Sequence, residues 1–305
     1  MFSRSALAEV NGMRTPSLAA ALSLLIAFSP AAVGRDAKLI ERGTYLMNSI
    51  VACGNCHVRR DKDWRPQPEL GLSGGMLFDE EPFKAYARNI TPDPETGIGK
   101  WTDAQIIRAI REGIRPDGTL IGPPMPIAFY RGISDTDAQA LVAYLRAQPP
   151  VKHVVPKSEY RMKLPPAYGP PIKEKIVAPP RSDRVKYGAY LAGPLGHCID
   201  CHTPWVQGIP DMKQVGAGGN PLKGPWGVTV SRNLTPHETG LKGWSDAEIA
   251  RAIRTARSRD GSALRPPMAF EWYRNISDED MKSLIAYLRS LEPLPLGGRP
   301  AAGTK

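Results

Sequence analysis

All four cysteines of this 305-residue chain fall in two copies of one five-residue pattern, Cys53-Gly54-Asn55-Cys56-His57 and Cys198-Ile199-Asp200-Cys201-His202. C-x-x-C-H places two thiols one helical turn apart with an imidazole directly after them. Both thiols can then add to the vinyl groups of a single haem, and the histidine lies beneath its iron. Using every cysteine this way leaves none for a disulfide scaffold. C-x-x-C pairs also serve redox dithiols and zinc sites. The first needs a βαβ context that the sequence lacks, and the second needs further ligands nearby. Two covalently bound haem c groups are therefore expected, attached at Cys53 and Cys56 and at Cys198 and Cys201, with His57 and His202 as proximal iron ligands.

The motifs head two copies of a longer unit. Gly43-Thr44-Tyr45-Leu46 precedes Cys53 at the distance at which Gly188-Ala189-Tyr190-Leu191 precedes Cys198. Arg88-Asn89-Ile90-Thr91-Pro92 returns as Arg232-Asn233-Leu234-Thr235-Pro236, Trp101-Thr102-Asp103 as Trp244-Ser245-Asp246, and Pro123-Pro124-Met125 as Pro266-Pro267-Met268. Tyr130-Arg131 matches Tyr273-Arg274, and Ala143-Tyr144-Leu145-Arg146 matches Ala286-Tyr287-Leu288-Arg289. The offset is 145 at the cysteines and 143 from the tryptophans onward, so two small loop deletions separate the copies. A repeat this long marks two domains rather than a solenoid, whose periods run to about 20–50 residues.

Within each copy, Thr102-x-x-Gln105 and Ser245-x-x-Glu248 read as capping boxes that satisfy free N–H groups at a helix start. Ile106, Ile107, Ile110 and Ile114 follow at helical spacing, as do Ile249, Ala252 and Ile253. Ser134-x-x-Asp137 and Ser277-x-x-Asp280 open the final helices, which bury Leu141, Val142 and Leu145 in one copy and Leu284, Ile285 and Leu288 in the other. Strand signals are weak. The 31 prolines and 29 glycines imply many turns. Nine of the prolines lie between 148 and 182, which predicts an extended strap without a core of its own, running across both domains. The fold class expected is mostly α, with two tandem domains, long loops and this connecting strap.

A protein-supplied sixth iron ligand makes an electron carrier, whereas an open position permits chemistry. Met125 and Met268 are the candidates, each 24 residues after its copy's tryptophan and each behind a Pro-Pro pair that presents it without helical competition. Met76 is not duplicated, its counterpart being Asn220. His153, His197 and His237 read as surface residues, although bis-histidine ligation at one haem stays open. Arg88 and Arg232 suit pairing with haem propionates. Trp101 and Trp244 suit packing on a haem edge. Solvated arginines and core tryptophans account for the same residues equally well.

From Leu18 to Phe28 the chain reads LAAALSLLIAF behind Arg14, of signal-peptide length and too short to span a bilayer, and Ala32-Val33-Gly34 fits cleavage before Arg35. Met13 is a candidate true start, and an uncleaved anchor is the alternative. Removing residues 1–34 takes away Arg4, Arg14 and Glu9 from a chain of net charge +10 and leaves it strongly basic. Such a surface attracts an acidic protein or, peripherally, an anionic membrane face. Nucleic acid is not expected as a partner outside the cytoplasm.

The N-[IL]-T-P…E-T-G…W-[ST]-D…P-P-M…Y-R…A-Y-L-R series behind each C-x-x-C-H resembles the dihaem class I cytochromes c. It is especially similar to the multihaem cytochrome subunits of bacterial periplasmic alcohol, gluconate and aldehyde dehydrogenases. The resemblance covers about 36–149 and 183–292, although those subunits usually carry three such motifs. With the apolar leader, the proline run and the Pro/Gly-rich end of the chain, it gives a signal peptide at 1–34, cytochrome c-type domains at 35–149 and 183–292, a proline-rich linker at 150–182 and a tail at 293–305. It also implies His57/Met125 and His202/Met268 as axial pairs. The expected function is periplasmic electron transfer from a dehydrogenase to another cytochrome or a terminal oxidase, without catalysis by the chain itself. A dihaem peroxidase, a thiosulfate-oxidising cytochrome or a structural subunit of a respiratory complex is the alternative.

Overall fold

A computed structural model describes residues 30–299. The apolar run Leu18–Phe28 and the last residues of the tail lie outside the described part. The elements come in two sets of like order. The first comprises α1 (Pro30–Met47), α2 (Gly54–His57), β1 (Leu77–Glu80), β2 (Phe83–Tyr86), α3 (Asp103–Glu112), α4 (Ile127–Tyr130) and α5 (Asp135–Arg146). The proline-rich segment contributes β3 (Glu159–Tyr160). The second set comprises α6 (Arg184–Tyr190), α7 (Cys198–Cys201), β4 (Trp205–Val206), β5 (Ile209–Pro210), β6 (Pro221–Gly224), β7 (Gly227–Val230), α8 (Asp246–Thr255), α9 (Phe270–Tyr273) and α10 (Asp278–Ser290). About a third of the chain is helical, and the short strands add more sheet than the sequence patterning suggests. β1, β2 and β3 form one antiparallel sheet, and β4–β5 and β6–β7 are separate hairpins.

The first helix of each set crosses the last at very short range. A Cβ on Gly43 would stand 2.0 Å from the Ala140 carbonyl oxygen, and one on Gly188 would stand 1.9 Å from that of Ser283. Only a residue without a side chain permits this approach, which is why glycine opens both G-x-Y-L stretches.

Both capping boxes form. The Thr102 hydroxyl accepts from the Gln105 N–H at 3.2 Å while Gln105 accepts from the Thr102 N–H at 2.8 Å, and Ser245 and Glu248 repeat the exchange. α3 is shorter than its isoleucine spacing predicts. Gly113 adopts the left-handed conformation (φ 70°) and ends the helix, so Ile114 turns back to bridge Leu120 instead of extending the apolar face.

The two sets exchange side chains reciprocally. Asp137 and Asp280 sit in the first turns of α5 and α10, whose capping serines bond their amides. Their carboxylates are buried. Tyr190 of the second set donates to Asp137 at 2.7 Å, and Tyr45 of the first donates to Asp280 at 2.7 Å. Arg42 forks onto Asp137 at 2.8 and 3.1 Å, and Arg181 meets Asp280 at 2.5 Å. Each buried charge thus has a cationic partner and a hydroxyl from the other set. Around this exchange one apolar cluster joins Leu46, Ile50 and Leu141 to Leu191, Leu195 and Leu284.

The proline-rich segment lies mainly against the first set. β3 pairs with β2, the Tyr168 hydroxyl donates to the Ile121 carbonyl at 2.8 Å, and the Ile176 carbonyl accepts from the Asp135 N–H at 2.9 Å. It reaches the second set at Arg181.

Gly188→Ala should cost about 1–3 kcal/mol, the usual penalty for overpacking against backbone that has nowhere to move, and lower the urea midpoint without changing the slope. Tyr190→Phe and Tyr45→Phe should each cost about 1.5–3 kcal/mol by taking a hydrogen bond from a buried carboxylate. Near-equal midpoint shifts for two residues so far apart in sequence would verify the reciprocal exchange.

Candidate haem-binding cavity

α2 and α7 are single helical turns. The His57 N–H donates to the Cys53 carbonyl at 2.9 Å and the His202 N–H to the Cys198 carbonyl at 3.0 Å. That turn brings the paired thiols to one side with the imidazole beside them. Burial pushes Cys53 up to about 12 and Cys56 and Cys198 to about 11, and it raises Cys201 as well. These are neutral thiols in an apolar interior, unlike the low-pKa thiolates of exposed redox dithiols. Among the described residues no three His, Cys, Asp or Glu side chains cluster to hold a metal ion.

All four cysteines, both motif histidines, Met125 and Met268 line one continuous cavity of about 820 Å³. That volume falls within the range of about 300–1,000 Å³ for clefts that enclose cofactor-sized ligands. Its walls are mostly aliphatic and aromatic, including Ile98, Ile106, Leu141 and Leu145 on one side and Leu241, Ile249, Ile253 and Leu288 on the other. An apolar chamber with thiols, imidazoles and thioethers at fixed points fits a flat, largely apolar macrocycle.

Each imidazole is oriented by a backbone carbonyl. His57 Nδ1 lies 2.7 Å from the Arg88 carbonyl oxygen, and His202 Nδ1 lies 2.6 Å from that of Arg232. A carbonyl only accepts, so each Nδ1 carries the proton and each Nε2 keeps its lone pair for a metal. Burial holds both imidazoles below their ordinary pKa, which favours the neutral ligand form. The carbonyls are held in turn by the next residue. Asn233 donates to the Leu294 carbonyl at 2.6 Å and accepts from the Thr235 N–H and hydroxyl, both at 2.8 Å. Asn89, Thr91 and the Val151 carbonyl form the same knot in the first set.

Met125 and Met268 stand two residues before the starts of α4 and α9, with the Ile127 N–H donating to the Met125 carbonyl at 2.8 Å and the Phe270 N–H to the Met268 carbonyl at 2.9 Å. Different groups tie the two methionine loops. Tyr160 donates to the Pro123 carbonyl at 3.1 Å, while Asn55, from the opposite set's cysteine motif, donates to the Pro267 carbonyl at 2.8 Å.

Trp101 and Trp244 line the cavity and pack on the core. Arg88 and Arg232 also line it; through Nη1, Arg88 donates to the Val155 and Pro156 carbonyls at 3.1 and 2.7 Å and Arg232 to the Ser258 hydroxyl at 3.2 Å.

His197 is half-buried: it lines the cavity edge-on to Tyr130, with ring centroids 5.7 Å apart, and desolvation pushes it down to about 4. His153 and His237 serve the loops. His153 contacts the Ser73 carbonyl through Nδ1 at 2.8 Å, and His237 accepts from the Thr239 N–H at 3.1 Å, much as Asp93 accepts from Thr96 in the first set.

The structure adds residues that the sequence did not single out. Tyr130 and Tyr273 are buried between the two cysteine motifs. Burial first, and then the neighbouring cysteines, keeps both phenols protonated. Their duplication was visible, but no chemical pattern marked them. Arg115 and Arg265 bring cationic side chains to the cavity wall from positions that the repeat does not relate, so a search for duplicated residues passes them over.

Comparison with known proteins agrees with this geometry. The sequence profile of the family described as Cytochrome c matches residues 186–292. The chain is 31% identical to a diheme cytochrome c-type protein of Cereibacter sphaeroides, over 78% of this chain and 81% of that one. It is 32% identical to the cytochrome c subunit of a quinone-type alcohol dehydrogenase of Gluconobacter oxydans, over 92% of this chain and 61% of the relative. It is also 32% identical to a nicotinate dehydrogenase subunit of Pseudomonas putida, over 95% of this chain and 25% of the relative. The chain therefore spans about three-fifths of the alcohol dehydrogenase subunit and a quarter of the nicotinate dehydrogenase subunit. With attachment thiols, oriented imidazoles and an enclosing apolar cavity in one place, and a relative matched over most of both lengths, this chain belongs to the cytochrome c family.

Proposed function

We propose that the chain is an exported two-haem electron carrier that accepts electrons singly from a periplasmic dehydrogenase and passes them to a further cytochrome or a terminal oxidase. The observation that carries this reading is the common cavity, in which two complete sets of thiols, imidazole and thioether occur together. Relatives named as cytochrome c subunits of alcohol, fructose and gluconate dehydrogenases support a dehydrogenase as donor. In this reading residues 35–149 and 183–292 are two cytochrome c-type domains, 150–182 links them, 1–34 is an export signal and 293–305 is a tail. Among the described residues no helix is long and apolar enough to cross a membrane.

Cys53 and Cys56 would hold one haem c and Cys198 and Cys201 the other, and each haem would supply a one-electron couple. His57 and His202 would offer Nε2 from one side, with the Arg88 and Arg232 carbonyls keeping each ring from turning. Met125 and Met268 would offer sulfur as the further ligand, which would favour a high potential and leave no position on the iron for a reactant. Trp101 and Trp244, with the aliphatic walls, keep water out and lower the local dielectric. The net positive surface would steer an acidic redox partner into contact.

Replacing Cys198 and Cys201 together by serine should halve the covalently bound haem measured by pyridine haemochrome assay. The oxidised wild type should show the weak long-wavelength band of iron–methionine bonding at a strength matching two such bonds. Met125→Ala or Met268→Ala should remove half of it and lower one midpoint potential. High-spin iron in the untreated protein, or ready binding of carbon monoxide, would overturn methionine ligation and favour peroxidase-type chemistry.

A further inference from the structure

The two sets differ at one sheet edge. In the first, the outer edge of β2 is covered by β3, with Phe83 opposite Tyr160 and Lys84 opposite Glu159. The Tyr86 N–H donates to the Ser158 hydroxyl at 3.0 Å and the Arg161 N–H to the Pro82 carbonyl at 2.9 Å. Tyr160 packs on Phe83 and reaches over to the loop that carries Met125. This strand therefore closes the sheet and covers a methionine loop at once.

β7 holds the place of β2 in the second set, at an offset of 144, yet among the described residues no strand lies beyond it. Val228 and Val230 are 56% and 52% exposed. The Ser231 N–H bonds inward to the Asn220 carbonyl, so by strand alternation the Val228 and Val230 amides face the open side, as the Tyr86 amide does in the first set. Such an edge is a ready template for another chain.

The chain after α10 starts on the course that leads to β3 and then leaves it. The Leu294 carbonyl takes the Asn233 and Thr235 bonds as Val151 takes those of Asn89 and Thr91, and the Leu296 N–H meets Thr239 as the His153 N–H meets Thr96. Gly297 and Gly298 then adopt left-handed φ values of 79° and 78°, the Gly298 N–H closes a turn onto the Pro295 carbonyl, and the Gly297 N–H goes to Ala217. At the corresponding point Val155 and Pro156 present their carbonyls to Arg88 and the chain continues extended into β3. Two glycines suit this turn because side chains are strained there.

Exposed apolar side chains continue beside the open edge. Val206 and Ile209 of the β4–β5 hairpin are 58% and 69% exposed, and the Trp205 N–H bonds Asn220 Oδ1, next to the Pro221–Val230 pair. Lys223 stands cross-strand from Val228. In the first set the residues after the motif histidine include Arg59, Arg60, Asp61, Lys62 and Asp63, where the second has Pro204, Trp205 and Val206.

We propose that the outer edge of β7 receives an extended segment of a second polypeptide as a third strand, with an acidic residue opposite Val228, as β3 sets Glu159 opposite Lys84, and an apolar residue opposite Val230. The strap shows the chemistry this edge accepts. The exposed valines supply its apolar contacts, and Lys223 on a chain of net charge +10 supplies the attraction for a carboxylate. Leu222, Thr229 and Val230 line the haem-binding cavity, so the incoming strand would lie one strand from the wall beside His202.

The test uses the full haem-loaded chain and a capped synthetic peptide, flanked by prolines, in which a valine and a glutamate two residues apart share one strand face. Expected are saturable binding by fluorescence anisotropy and slowed hydrogen exchange at the Val228 and Val230 amides. Affinity should fall at least tenfold in Val228→Pro, which removes an outward donor, and in Val228→Glu, which repels the peptide's carboxylate and leaves the backbone free to fold. Absence of saturable binding, or binding unchanged in both variants, would overturn the proposal. So would protection of these amides without peptide, since the chain's own last residues would then cover the edge. Protection that grows with protein concentration would instead assign it to a second copy and overturn it too. No step involves redox chemistry, so this outcome stands apart from that of the electron-carrier reading.

Discussion

Two backbone carbonyls set the chemistry of this molecule. Because the oxygens of Arg88 and Arg232 can only accept, they fix the proton of His57 and His202 on Nδ1 and leave the Nε2 lone pair free. Much of the surrounding structure holds those carbonyls in place. Asn89 and Asn233 tie the loop to the chain that follows the last helix, and Thr91 and Thr235 complete the knots. The ring orientation is thus secured by bonds between loop and chain rather than by any regular element, which is how a fold with long loops keeps a rigid site.

The second organising constraint is the exchange of tyrosines between the sets. A carboxylate buried at the start of a helix is costly unless charge and hydrogen bonds satisfy it, and here each set supplies a hydroxyl that the other requires. The shared apolar cluster and the Asn55 contact to the Pro267 carbonyl add to the same junction. The consequence is a cavity that runs continuously past both cysteine motifs, with Tyr130 and Tyr273 between them.

Repetition in sequence does not produce identical surroundings. Tyr160 from the strap secures one methionine loop and Asn55 from the opposite motif secures the other. One hairpin gains a third strand where the other presents exposed valines.

The sequence by itself determined the local grouping of paired thiols and imidazole, since C-x-x-C-H is a local pattern whose spacing is set within one helical turn. It also determined the helix starts at Thr102, Ser134, Ser245 and Ser277, because caps act over three residues. The early end of α3 at Gly113 was local as well, though the isoleucine spacing masked it. Tertiary structure alone decided that Arg88 serves His57 through its carbonyl while its guanidinium turns to the strap, because a backbone oxygen leaves no trace in composition. It decided likewise that His197 lines the cavity, and that Asp137 and Asp280 answer tyrosines of the other set. These are contacts between residues far apart in the chain, fixed only when two sets of helices close on one apolar core and every buried polar group must find a partner there.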